Sequence, residues 1–337
     1  MTITNKQIHL IKRPQGEPTE DLFALVQEPL PEPLSGQVQV RNRFLSLDPY
    51  MRGRMDDAKS YAQPQALNAV FQGATAGEVI ASQHPNFKPG DTIAGNFGLG
   101  WQTHATVDAK AIRKVDATRV PLSYYVGLLG MPGATAWYGT TKILDPRGDL
   151  PAGQTLVVTA ATGAVGGVVG QLAKLKGARV VGIAGGKAKC DYAVKELGFD
   201  ACVDYKAADW KEALKAATPN GIDRVFENVG GEIFDTILGR MNAFGRVAIC
   251  GLISGYNGKA LPLGNLRSIL TNKLMVQGFI ISDHLELWGQ AHKELADLVV
   301  AGKLKYRESI TEGIENAPRA FLGLLKGENF GKQVVKL

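Results

Sequence analysis

The 337-residue chain is long enough for about two domains, and its 45% hydrophobic and 21% charged residues are ordinary for a globular protein. The net charge of +6 is scattered, with no basic run that would follow a nucleic-acid backbone, so nucleic acid is not an expected partner. No apolar stretch is long enough to span a membrane, the N-terminus lacks a signal peptide's apolar core, and Cys190, Cys202 and Cys250 lie far apart without CxxC spacing, which fits a reducing cytoplasm.

Up to about Pro121 the chain reads as short strands broken by Pro and Gly. Residues 38–43, 77–81 and 101–107 alternate, with turn signals at Leu34-Ser-Gly36 and Lys88-Pro-Gly-Asp91. This predicts an all-β, barrel-like unit. From Gln154 the rhythm changes to strand, helix, strand, helix. Strands are predicted at 154–160, 179–184, 201–204, 222–226, 245–250 and 274–280, and helices at 164–176, 187–197, 207–217 and 232–240. Such alternation implies a parallel sheet covered by helices on both faces. An amphipathic helix at 285–301 precedes a tail of short Gly/Lys-rich segments that ends in Val334-Val-Lys. The expected organisation is α/β: a β-domain over 1–121, a doubly wound parallel-sheet domain over 122–300, and a segment 301–337 that returns to the β-domain.

The most informative segment runs from Gln154 to Gly170, where a strand meets Ala160-Ala-Thr-Gly-Ala-Val-Gly166 and then an apolar helix. This is the grammar of a dinucleotide site, in which a helix N-terminus with unpaired N–H groups faces a pyrophosphate. Gly163 and Gly166 take the second and third glycine places of the fingerprint, while Ala161 replaces the first. A tight turn without a ligand is the alternative reading of the motif alone. The next strand ends in Gly185-Gly-Lys-Ala-Lys189, without the acidic residue that binds an adenosine ribose in NAD-binding folds. Lysines there would attract a 2′-phosphate, so NADP(H) is the better-matched cofactor. The plainer alternative is that Lys187 and Lys189 form the solvated first turn of a helix.

Six segments, in order, carry a resemblance along the whole chain: Leu45-Ser-Leu-Asp-Pro-Tyr-Met-Arg-Gly-Arg-Met55, Leu129-Gly-Met-Pro-Gly-Ala-Thr-Ala136, Ala160-Ala-Thr-Gly-Ala-Val-Gly166, Phe226-Glu-Asn-Val-Gly-Gly231, Cys250-Gly-Leu-Ile-Ser-Gly-Tyr-Asn257 and Gly327-Glu-Asn-Phe-Gly-Lys332. The chain resembles the zinc-free branch of the medium-chain dehydrogenase/reductase superfamily, with its prostaglandin reductases, leukotriene B4 dehydrogenases, alkenal double-bond reductases and bacterial curcumin reductases. The resemblance implies a GroES-like β-barrel domain with a Rossmann domain, and NADPH-dependent reduction of a C=C bond conjugated to a carbonyl. It also implies a cofactor site of Thr162, Gly163, Ala164, Val165 and Gly166 at the phosphates, with Lys189, Tyr205 and Gly186 at the 2′-phosphate. Asn228, the loop from Cys250 and Gly251 to Tyr256, Phe279, Ile280, Ile281 and Asn329 would line the rest. Family analogy further suggests a homodimer built by pairing of the last Rossmann strands.

Zinc is judged on the residues. Every cysteine lies past residue 189, and His9, His84, His104, His284 and His292 show no paired metal spacing, so no metal is expected. An enone needs less help than an alcohol: hydride adds to its β-carbon, charge moves to the carbonyl oxygen, and the α-carbon is then protonated. Tyr256, on a glycine-flanked loop after a strand, is the first candidate to donate to that oxygen, with loop packing as the alternative. Water or a ribose hydroxyl could deliver the proton instead. Tyr50 is read equally as a substrate contact and as packing. Met131 and Pro132 are read as nicotinamide-pocket or core residues, Arg52 and Arg54 as makers of internal salt bridges, and Cys250 as a small buried residue. A small α,β-unsaturated carbonyl compound is the expected substrate. The rival readings are an NADPH quinone oxidoreductase and a non-catalytic NADPH-binding protein.

Overall fold

The computed structural model describes residues 3–96, 98–148 and 152–337. The chain divides into two compact units, Met1–Met131 with Glu308–Leu337, and Pro132–Arg307.

The first unit opens with strands β1 (Thr4–Leu10), β2 (Phe23–Pro29) and β3 (Gln37–Ser46), the short helix α1 (Tyr50–Arg54), and strands β4 (Ala69–Val70), β5 (Thr75–Ser82), β6 (Thr92–Gly95), β7 (His104–Asp108) and β8 (Arg113–Lys114). Helix α2 (Met131–Tyr138) then leads into the second unit. There, strand and helix alternate: β9 (Thr155–Thr159), α3 (Gly166–Leu175), β10 (Arg179–Ala184), α4 (Lys187–Lys195), β11 (Ala201–Asp204), α5 (Trp210–Ala217), β12 (Ile222–Glu227), α6 (Gly231–Leu238) and β13 (Met241–Ile249). The short α7 (Arg267–Thr271), β14 (Met275–Gly278) and α8 (Trp288–Val300) complete it. The chain returns to the first unit as β15 (Glu308–Glu312), α9 (Ala317–Leu325) and β16 (Lys332–Lys336).

In the first unit β16 pairs antiparallel with β3 and parallel with β15, so the tail supplies one end of the larger sheet, ordered β15-β16-β3-β5-β6-β8. Strand β3 buries Val38 and Val40, the inward side of the alternation seen in the sequence, and past a register shift it buries Leu45 in a second core. That second core is aromatic: Phe71 meets Trp101 edge-on at 4.8 Å, and Phe321 from α9 meets Trp101 at 5.7 Å. Helix α9 corrects the expectation of only short segments in the tail. Pro318 in its first turn is compatible with a helix start, and Ala317, Phe321 and Leu324 fall on one face.

The second unit has a six-stranded parallel sheet ordered β11-β10-β9-β12-β13-β14. All six expected strands are present, with ends shifted by a few residues. Val157, Val158, Val180, Val181, Val225, Phe226 and Val247 are fully buried, as a parallel sheet covered on both faces requires. This is the doubly wound Rossmann order.

Candidate active site

In this sheet the chain runs from β9 outward to β10 and β11, then crosses to β12 on the other side. The C-terminal ends of β9 and β12 therefore flank the switch point at which doubly wound sheets bind ligands. After β9, Ala160 adopts a left-handed backbone (φ 50°), and the Gly163 N–H donates to the Ala160 carbonyl at 2.9 Å. The N–H groups of Thr162, Ala164 and Val165 have no main-chain acceptor among the described residues, and α3 begins at Gly166. A Cβ on Gly166 would stand 2.4 Å from the Ala160 carbonyl oxygen, so only glycine lets the helix start this close to the strand. Ala161, in the place of the first fingerprint glycine, is fully buried. Its methyl fits because Gly182 on β10 carries no side chain, where a Cβ would come within 2.7 Å of it.

At the end of β10, Tyr205 and Lys206 close over Gly185, where a Cβ would lie 3.0 Å from the Tyr205 hydroxyl and 3.1 Å from Lys206 Cε. Lys189 is half-buried, and burial together with the Lys206 charge holds its ammonium below the usual lysine range. Lys187, by contrast, is exposed and paired with Asp191 at 2.7 Å, the solvated first-turn arrangement. Two features escaped the sequence reading. Lys206 joins the corner, and its only sequence signal is that it follows Tyr205. Asp204, from the neighbouring strand β11, accepts the N–H groups of Gly186 at 2.7 Å and Lys206 at 3.0 Å. The stretch 185–189 itself carries no acid; the carboxylate under the turn comes from β11 and is occupied by two backbone amides. Cys190 and Cys202, distant in sequence, also meet here, and the Cys202 thiol, donating to Cys190, is pushed upward.

At the end of β12, Glu227 is wholly excluded from solvent. Its Oε1 accepts the N–H groups of Val229 and Gly230, both at 2.6 Å, and the Thr159 hydroxyl at 3.1 Å. Its Oε2 is buried without a partner among the described residues. Burial pushes the carboxyl up to about 7. Asn228 is tied to the end of β9, donating from its backbone to Thr159 Oγ1 and from its side chain to the Thr159 carbonyl, each at 2.8 Å. The 250–256 loop is laced to this turn. Cys250 and Gly251 donate N–H groups to the Glu227 carbonyl, Ile253 to that of Asn228 and Ser254 to that of Val229. The Tyr256 hydroxyl accepts the Leu252 N–H at 3.4 Å, and lies 3.1 Å from where a Gly251 Cβ would be. Burial raises the Tyr256 phenol, so it keeps its proton through neutral pH. Burial beside Glu227 pushes the Cys250 thiol up to about 12, which leaves it protonated and a poor nucleophile. Phe279, just past β14, meets Phe226 edge-on at 6.2 Å and Tyr138 at 5.4 Å; half-buried Ile280 and buried Ile281 follow it.

The structure thus brings the predicted residues of the second unit to neighbouring strand ends. Tyr50, Met131 and Asn329 belong to the first unit. Tyr50 opens α1, and burial and the Asp48 charge raise its phenol, leaving it protonated. Asp48 lies 2.9 Å from the buried Lys332 ammonium, which also donates to the Leu47 carbonyl at 2.6 Å. Asn329 donates its side-chain N–H to the Gly331 carbonyl at 2.7 Å. Met131, half-buried, begins α2, and Pro132 is buried. Arg52 pairs with Asp56 at 2.8 Å and donates to the Gly16 carbonyl, and Arg54 donates to the Gln63 carbonyl. Among the described residues no three His, Cys, Asp or Glu side chains converge to hold a metal, and no helix is long and apolar enough to cross a membrane.

Two family profiles match the chain: the N-terminal domain of oxidoreductase over residues 6–115 and zinc-binding dehydrogenase over residues 164–299. NADPH-dependent curcumin reductase of Escherichia coli (strain K12) is 44% identical over 99% of this chain and 97% of its own length. The NADP(+)-dependent 2-alkenal reductase of Nicotiana tabacum is 39% identical over 99% of this chain and 97% of its own. Among solved structures, CurA of Vibrio vulnificus in complex with NADPH is 45% identical, with a TM-score of 0.90 and 98% of each chain covered.

Proposed function

Starting from the fact that this chain belongs to the zinc-free medium-chain dehydrogenase/reductase branch of enone and alkenal reductases, we propose that it reduces the C=C bond of α,β-unsaturated ketones and aldehydes. It is an NADP-dependent oxidoreductase and uses NADPH.

The residues present fit that nucleotide. The free N–H groups of Thr162, Ala164 and Val165 at the start of α3 suit a pyrophosphate. Lys189, Tyr205 and Lys206 suit a 2′-phosphate, with Gly186 leaving open space beside them. Gly163, Gly166, Asn228, Cys250, Gly251, Phe279, Ile280 and Ile281 of the second unit would line the remaining length. When bound, NADPH supplies the hydride that adds to the β-carbon of the substrate.

The chain's own part is to hold and polarise. We assign Tyr256 the hydrogen bond to the substrate carbonyl oxygen, where negative charge grows during the addition. Its phenol is protonated, and its oxygen accepts from Leu252, which leaves the hydroxyl hydrogen to give. Tyr50 is the second candidate for this contact, and it too is protonated. The α-carbon proton comes from Tyr256, from the ribose hydroxyl of the cofactor or from water. The single observation that carries the reading is the protonated Tyr256 on a loop laced to the turn at the sheet's switch point.

We place the enzyme in the cytoplasm, in keeping with its three free thiols, and propose a homodimer paired along β14, which ends its sheet. NADPH absorbance followed with a panel of enals, enones, curcumin and quinones tests the activity. Consumption with enones and a saturated carbonyl product is expected. Turnover with quinones alone would favour the quinone oxidoreductase reading, and tight NADPH binding without any turnover would favour a non-catalytic role.

A further inference from the structure

A carboxylic side chain closes β12, a strand whose neighbouring residues Val225 and Phe226 are fully buried. Burying a carboxyl is costly, and a shape-matched apolar residue usually serves stability as well or better. Glu227 is nonetheless wholly buried, and its Oε1 gathers three donors from two pieces of chain: the Thr159 hydroxyl at the end of β9, and the amides of Val229 and Gly230 in the turn after β12. The main-chain carbonyls of Glu227, Asn228 and Val229 then receive the amides of the 250–256 loop.

We propose that Glu227 is a positioning residue for the reductase reaction: its carboxyl fixes the 228–230 turn and, through that turn, both Asn228 and the loop bearing Tyr256. The inference rests on the reading of Tyr256 as donor to the substrate oxygen. Thr159 is the second member of the device, because its hydroxyl donates to Glu227 and accepts the Asn228 N–H at 2.8 Å. Oε2 has no partner among the described residues, so the positioning passes through Oε1.

Glu227→Ala should lower kcat by about tenfold or more at saturating enone and NADPH, well below the melting temperature. Glu227→Gln keeps an acceptor oxygen and should recover most of that loss. In a Tyr256→Phe background Glu227→Ala should cost little more, because both changes remove one contribution. Amide hydrogen exchange at Val229, Gly230 and Ile253 should quicken in Glu227→Ala without any ligand present. An unchanged kcat, or losses that multiply in the double variant, would overturn the proposal. Should Glu227→Ala fail to fold, Thr159→Val carries the same test with a loss of about threefold. If wild-type protein reduces no enone with NADPH, the function reading falls, while amide exchange still decides whether Glu227 holds the turn.

Discussion

The ammonium of Lys332 lies 2.9 Å from the Asp48 carboxylate, and both side chains are all but excluded from water. The pair ties β16 to the residues that lead into α1, and so fixes Tyr50 relative to the Gly327–Lys332 stretch that carries Asn329. Replacing Lys332 by Met would leave Asp48 buried and unpaired. The expected cost is roughly 3–5 kcal/mol, read from urea unfolding. Adding Asp48→Asn in the same chain should restore part of it, because the stranded charge is then gone.

Tyr256→Phe removes the hydroxyl and keeps the ring. Turnover should fall on the order of a hundredfold, the loss usual for a donor to a developing oxyanion. The dissociation constant for NADPH, measured by calorimetry, should move little. Equal losses in both would make Tyr256 a residue that only shapes the groove.

The corner formed by Lys189, Tyr205 and Lys206 discriminates between nucleotides only if it meets the 2′-phosphate. Lys189→Ala should weaken NADPH binding by about tenfold, the worth of one charge-assisted hydrogen bond, and leave NADH binding nearly unchanged. Lys206→Ala should act in the same sense. If NADH and NADPH suffer alike, neither lysine reads the phosphate.

Glu227 also imposes a pH dependence on stability. Its carboxyl is raised from 4.5 to about 7 by burial, so the folded chain binds that proton more tightly than the unfolded chain. Its stabilising contribution is therefore whole below pH 4.5 and is lost as pH rises toward about 7, by roughly 3 kcal/mol in all. Urea unfolding of wild type at pH 5 and pH 8, set against Glu227→Gln, should show this slope in wild type only. Parallel curves would remove Glu227 as its source.

The second unit was legible because its physics is local. Runs such as Leu156-Val-Val158 and Val180-Val181 can only be strands buried on both faces, and glycines mark their ends. The phosphate turn, Lys189 and Tyr256 followed from that grammar and from the family's motifs. What stayed hidden depends on partners brought from elsewhere in the chain. Lys206 gains a meaning only when β11 is laid beside β10, and Asp204 reaches Gly186 by the same pairing. Glu227 read as one letter of a motif, because its three donors come from two separate strand ends. The Asp48–Lys332 pair spans nearly the whole sequence and leaves no periodic trace. Helix α9 was missed because Pro318 and Gly323 weaken its pattern, although Pro318 sits where a helix tolerates it.

The insertion of β16 beside β3 also governs how the polypeptide is made. Strand β3 emerges from the ribosome long before β16, one of its hydrogen-bonding neighbours. The nascent N-terminal segment must wait, with an open edge, while the continuous stretch Pro132–Arg307 can complete its own sheet first. Translation stalled before β16 would therefore release a product with one finished half and one sticky, half-built barrel, a natural client for chaperones.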